Sequence, residues 1–221
     1  MKTLLTINKI FVHSEVNNKS FFTDFNAKLN VIYGANTSGK STLIQLILFT
    51  FGINDNKTKL TKILSENIFT RLDISIKKDD EKIEYTFVRK DETIYIKDFK
   101  SNKIIKFNGI SGNNSAEHVK LKEFFNQLLN FDLLLETKAG ISKAPIETIF
   151  LPYYVSQDVG WVYLRKSFSN LDFYKNFKED FLDYYLGITR LVDKEKKKII
   201  ENELAEKTQR YNFYMNFEKN D

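Results

Sequence analysis

Gly34-Ala35-Asn36-Thr37-Ser38-Gly39-Lys40-Ser41 satisfies the pattern G-x-x-x-x-G-K-[ST] at every fixed position. The pattern is short, so its flanks decide whether it marks a site. Leu29-Asn30-Val31-Ile32-Tyr33 before it is a β-rich apolar run, which predicts a buried strand. Thr42-Leu43-Ile44-Gln45-Leu46-Ile47-Leu48-Phe49-Thr50-Phe51 behind it is apolar nearly all round, which predicts a helix buried on several sides. Gly52 stands where that helix would end with φ > 0. Strand, glycine loop and helix form the arrangement that cradles phosphate groups. The free N–H groups and partial positive charge of a helix N-terminus hold phosphate oxygens without help from side chains. Gly34 and Gly39 let the backbone curl closely around them. Lys40 offers a point charge to the β- and γ-phosphates, and the Ser41 hydroxyl can ligate the Mg²⁺ that travels with them. Asn36, Thr37, Ser38 and Thr42 complete the expected lining. A surface loop that happens to contain Gly, Lys and Ser is the bland alternative, and both flanks argue against it.

Composition narrows the rest. Of 221 residues 42% are hydrophobic, with 20 Phe and 11 Tyr, which is ample for a core. The net charge of +5 makes nucleic acid a plausible partner without demanding one. With no cysteine, disulfides, cysteine zinc sites and thiol catalysis are excluded. His13 and His118 are too few and too far apart for a metal cluster, and each reads as an ordinary residue. No apolar run approaches membrane-spanning length and the N-terminus breaks up too soon for a signal peptide, so a cytoplasmic location is expected.

Thr3 to Val12 reads as a first strand, Asn17-Asn18-Lys19 as a turn, and Asn54-Asp55-Asn56-Lys57 as the turn after the buried helix. From Arg71 to Phe107 the apolar period changes to two, interrupted by polar connectors at Lys78–Glu81, Lys90–Glu92 and Lys100–Asn102. This predicts an antiparallel meander of about four strands with lysines on its outer face. Those lysines suit a solvated, aggregation-resistant surface, and DNA contact is the sharper alternative. A helix is expected from Ala116 to Leu135, a β-rich edge or irregular strand over Ile149–Val155, and a helix near Phe173 to Leu186 stopping at Gly187. From Thr189 onward the chain is dense in both charges with scattered apolar residues at helical intervals. A long exposed helix and the start of a coiled coil fit that tail equally.

Gln157 follows a strand-like stretch in Tyr153-Tyr154-Val155-Ser156-Gln157-Asp158. Together with the phosphate loop, the first-strand residues Ile10-Phe11-Val12-His13-Ser14 and the charged terminal helix, it gives the chain its resemblance to the N-terminal half of an SMC/Rad50-like ATPase head, a branch of the ABC-type ATPases. The long gap between Lys40 and Gln157 favours this branch over transporter ATPases. The resemblance implies an α/β fold: a P-loop ABC-type N-lobe over residues 1–188, with an antiparallel β meander at 70–108 and a helical part, and a coiled-coil arm emerging over 189–221. It also implies ATP and Mg²⁺ as cofactors, with Lys40 and Gln157 as the catalytic residues. Ser41 and Gln157 would be the metal ligands, and His13 and Ser14 would lie beside the base or ribose. Thr37 departs from the family, which often has Gly there. A β-branched residue tolerates φ > 0 poorly, so either the loop geometry differs or that position is conventional.

No LSGG-like signature, no apolar run ending in Asp-Glu and no late switch histidine is present. Asp132-Leu133-Leu134-Leu135-Glu136 imitates the acidic motif but precedes Gln157 and reads as the end of an amphipathic helix. The expectation is therefore a fragment or one of two lobes, inactive or nearly so alone, whose partners are the C-terminal lobe of the same head, a second head, and DNA. In that reading ATP-driven head pairing and hydrolysis serve repair, chromosome organisation or antiphage defence. A nucleotide-switched DNA-binding or scaffold module with little turnover is the competing class. A small-molecule kinase is a weaker third, for want of an Arg-rich lid.

Overall fold

In a computed structural model the described residues are 3–54, 57–110, 115–138, 140–157, 166–188 and 190–217. Asp55, Asp158 to Trp161 and Thr189, which the sequence reading singled out, lie outside them. The chain divides into two compact units, residues 1–132 with 143–173, and residues 133–142 with 174–221.

The first unit is built on one antiparallel sheet with strand order β2-β1-β3-β4-β5-β6. Its strands are β1 (Thr3–Ser14), β2 (Lys19–Asp24), β3 (Ile68–Lys78), β4 (Glu81–Lys90), β5 (Thr93–Asp98) and β6 (Lys103–Asn108). The expected meander is β3 to β6. Its connectors turn as their residue types permit, with Asp79, Asp91 and Asn102 in the left-handed region at φ 51°, 48° and 52°. Register puts Leu72 opposite Ile10 and Phe87, and Phe87 opposite Ile96. These residues are all fully buried, so period two delivers one continuous apolar face.

Helix α1 (Lys40–Thr50) packs on that face, followed by α2 (Lys57–Leu64), which the sequence reading did not anticipate. Helices α3 (Ala116–Leu129) and α4 (Ile146–Phe150) close the core. Phe51 is its hub, with ring centroids 5.5 Å from Phe87, 5.8 Å from Phe125 and 4.9 Å from Phe150. Aromatic pairs at such separations contribute about 1 kcal/mol each beyond their burial. His118 is buried on α3.

Four expectations need correction. Leu29–Tyr33 forms no strand and is exposed, with Leu29 at 78%, Val31 at 75% and Tyr33 at 91%. A strand requires a hydrogen-bonded neighbour. Here the Asn30 side chain supplies a local substitute, accepting from the Asn26 N–H at 2.7 Å and donating to its carbonyl at 2.8 Å. Ile149–Phe150 belongs to helix α4, not a strand, with Pro145 as its N-cap and turn residues from Leu151. Helix α3 stops at Leu129 because Asn130 takes φ 52°, ψ 47°. The acidic look-alike that follows is thus no helix end: Leu134–Thr137 is a strand. Finally, Phe173 lies on a 3-10 turn (Ser169–Phe173), and the helix expected from it begins at Phe177.

The second unit holds a hairpin of β7 (Leu134–Thr137) and β8 (Gly140–Lys143, its last residue assigned to the first unit), helix α5 (Phe177–Tyr185) and helix α6 (Arg190–Phe217). Glu136 forms a bridge with Lys175 and an ion pair with its ammonium at 3.0 Å. Phe177, Phe181 and Tyr185 stack along α5 with centroids 5.5 and 4.7 Å apart, so the four-residue period persists one step on from Phe173. Gly187 ends this helix at φ 70°. Along α6, Ile199, Ile200, Leu204 and Tyr211 are exposed.

Candidate nucleotide site

The site begins where the backbone reverses ahead of α1. Thr37 has φ 63° and Gly39 φ 88°, on either side of Ser38. Alternation of this kind turns successive N–H groups toward one side, a concavity suited to anions. Thr37 therefore adopts the left-handed geometry that the family usually gives to Gly. The cost for an L-residue is about 1–2 kcal/mol. At Gly34 a Cβ would stand 2.7 Å from Ser38 Oγ, so that hydroxyl would have to rotate away. Asn36, Thr37, Ser38 and Gly39 are exposed, and Thr42 is half-buried in the first turn of α1.

Lys40 folds back over the loop. Its ammonium donates to the carbonyls of Gly34 at 2.8 Å and Ala35 at 2.7 Å, and lies 3.4 Å from Ser38 Oγ. The adjacent Ser41 hydroxyl donates to Gln157 Oε1 at 2.8 Å, across 116 positions of sequence. An ammonium, a hydroxyl and an amide oxygen thus meet at one helix N-terminus whose first-turn N–H groups have no intrahelical partner. Triphosphate fits the nest and the ammonium, and a hard divalent cation fits the oxygen pair.

His13 and Ser14, at the end of β1, are engaged elsewhere. His13 Nδ1 lies 2.9 Å from Ser20 Oγ and its ring 5.4 Å from that of Phe69. Ser14 Oγ donates to the Glu66 carbonyl at 3.4 Å and accepts from the Asn17 N–H at 3.1 Å.

The far end of α1 is fixed by residues that carry no sequence motif. Arg89 on β4 is fully buried, its guanidinium 3.6 Å above the Phe49 ring. It donates to the Phe49 carbonyl, to Asn54 Oδ1 at 2.7 Å and to the Asp91 carbonyl at 3.0 Å. A cation at a helix C-terminus opposes the helix dipole. Desolvation pulls its pKa down to about 9, against the pull of Glu92 and Asp91, so it remains charged at neutral pH. Beside it, Thr50 Oγ1 bonds the Leu46 carbonyl at 2.7 Å and Thr70 Oγ1 at 2.8 Å, tying α1 to β3. A Lys/Arg within a period-two strand reads as outward-facing; only a break in alternation, with Arg89 two residues from Phe87, could have flagged it.

Among the described residues no group of three or more His, Asp or Glu could hold a metal, and no helix is long and apolar enough to cross a membrane.

The AAA-domain family profile matches residues 5–212. The chain is also similar to Lamassu protein LmuB of Bacillus cereus (strain VD014), 28% identical over 183 residues, which is 82% of this chain and 30% of that protein. The chain thus spans under a third of the length of the curated relative it matches. With a phosphate loop at its centre, an antiparallel meander beside it and a family match over nearly its whole length, this chain belongs to the AAA-domain family of SMC/Rad50-like P-loop ATPases.

Proposed function

We propose that this chain is the ATP-binding lobe of an SMC/Rad50-like head, in which bound ATP favours pairing of two heads and hydrolysis reopens them. The observation that carries the reading is the contact between Ser41 and Gln157. A helix-start hydroxyl and an amide oxygen 116 positions away stand together, and oxygen donors placed this way suit a hard divalent cation. When bound, Mg²⁺ supplies charge neutralisation for the phosphates, and these two oxygens are the groups that would hold it. The nest at 34–39 and the Lys40 ammonium would hold the phosphates, with His13 and Ser14 the candidates toward the base or ribose.

The exposed Leu29–Tyr33 run supports a C-terminal lobe as partner, since strands added there would pair its backbone and cover its side chains. That lobe would also bring the general base and the signature that closes on the second head. Of the DNA-directed roles, antiphage defence is favoured by the likeness to a Lamassu protein. A DNA-binding module with little turnover draws its own support from the sheet's outer face, where Lys97 lies 4.8 Å over Phe99 and Lys106 5.5 Å over Tyr95. Cations beside aromatic rings, Lys106 exposed and Lys97 half-buried, suit a phosphate backbone and unstacked bases.

Calorimetry with ATP and Mg²⁺ tests the site directly. Wild type should bind and Lys40→Ala should not; wild-type affinity in that variant refutes the assignment. In the complete head, Gln157→Ala should slow turnover while nucleotide still binds, and unchanged turnover would remove Gln157 from the mechanism.

A further inference from the structure

We infer that Ser167 is a positioning residue for Gln157, a role that rests on the proposed function of Gln157 itself. Gln157 is exposed, and its side-chain amide makes the Ser41 contact. What fixes its place is the main chain immediately before it. The Ser156 N–H donates to Ser167 Oγ at 3.1 Å, a buried bond between residues 3% and 5% exposed. Two further contacts bring the same stretches together. The Tyr154 ring lies 5.2 Å from that of Phe168, itself fully buried, and Asn170 Nδ2 donates to Glu147 Oε1 at 2.7 Å.

These three contacts run in order, 147 with 170, 154 with 168 and 156 with 167, so two stretches of chain lie side by side and the last rung falls one residue before Gln157. A main-chain N–H in a buried setting keeps a partner or costs free energy. Removing the Ser167 hydroxyl therefore frees the Ser156 amide to seek another partner, and the displacement is passed to the next residue. The Ser41 bond, at 2.8 Å, sits at the usual O–H···O length, so a main-chain displacement at residue 156 that the Gln157 side-chain torsions do not take up weakens it. The other two contacts are remote enough from Gln157 to maintain the fold when this one is lost.

The test is Mn²⁺ binding followed by electron paramagnetic resonance, on the full chain loaded with a non-hydrolysable ATP analogue. Ser167→Ala should weaken Mn²⁺ about fivefold, the effect of losing one ordinary hydrogen bond. The affinity for the analogue in EDTA should stay unchanged. In a Gln157→Ala background, Ser167→Ala should have no further effect on Mn²⁺. Equal loss in both backgrounds, loss in EDTA as well, or no loss at all overturns the inference. Ser167→Cys, with a weaker acceptor of similar size, is expected between wild type and Ala, and it takes over the test if the Ala variant fails to fold. Failure of the underlying reading is distinguishable: Gln157→Ala would then bind Mn²⁺ like wild type while Lys40→Ala lost the nucleotide, and the inference would fall with it.

Discussion

Replacing Arg89 by Met tests whether a buried cation secures the phosphate-loop helix. Three hydrogen bonds from a charged donor disappear, to the Phe49 carbonyl, Asn54 Oδ1 and the Asp91 carbonyl. At about 2 kcal/mol each they sum to about 6 kcal/mol. The lost stacking on Phe49 adds about 2 kcal/mol at this desolvated position. Against this, the variant no longer buries a charge. Desolvation lowers the guanidinium pKa to about 9, a cost for the charged form on the order of 5 kcal/mol. Met fills most of the vacated volume, so little cavity term arises. The difference leaves the Met variant about 3 kcal/mol less stable, a fall in Tm of about 6–12 °C for a chain of this size. Arg89→Lys should do no better, since one ammonium cannot fork to three acceptors. The pH dependence has a definite sign. Above pH 9 the unfolded chain keeps a proton that the folded chain has released, so wild type gains stability relative to Met as pH rises through that range. Urea melts at pH 7.5 and pH 10 read both effects. A Met variant within about 0.5 kcal/mol of wild type would mean that desolvation cancels the hydrogen bonds, refuting the anchoring role.

Thr37→Gly removes about 1–2 kcal/mol of left-handed strain and adds about 0.5–1 kcal/mol of chain entropy, so it should leave stability unchanged or raise it slightly. A loss of more than about 1 kcal/mol in a urea melt would show that the threonine earns its place by contact. Val31→Lys, at a position 75% exposed, should change stability by no more than about 0.5 kcal/mol yet abolish co-purification with a separately expressed C-terminal lobe; retained association would mean that this run is not the pairing edge. Any DNA binding should fall steeply with salt, and Lys97→Ala and Lys106→Ala should each lower the log–log slope by up to about 1. A flat salt response in filter binding would set aside the DNA-directed reading.

What could be read from sequence was whatever local chemistry settles by itself. The phosphate loop was legible because fixed glycines and a following apolar helix leave few alternatives. The meander was legible because Asp79, Asp91 and Asn102 are residues that tolerate the left-handed turn the strands require. Ile149–Phe150 was misread because a short apolar run has no period to separate strand from helix, and Pro145 ahead of it was the better guide. Asn130 hid the end of α3 in the same way: asparagine is a common C-cap, yet nothing upstream announces it. Ser167 was invisible because it acts on a main-chain N–H that any residue carries, and Arg89 because only its register two residues from Phe87 separates it from the outward-facing lysines.

The misread strand at Leu29–Tyr33 bears most on function. Leu29, Val31 and Tyr33 would share one apolar face of a strand, and Ile32 adds to the other, yet Leu29, Val31 and Tyr33 stand in solvent. Exposed apolar segments of this kind invite pairing with another chain. The loop it feeds nevertheless has its alternating backbone and its Ser41–Gln157 contact. On the other side of the loop, α1 is held at its far end through Arg89 and the Thr50–Thr70 bond. Under the proposed function the two jobs are separate: the meander holds α1 behind the loop, and the exposed run is the face that a C-terminal lobe would cover. Under that proposal nucleotide binding and lobe assembly should be separable by mutation, with Val31→Lys abolishing only the second.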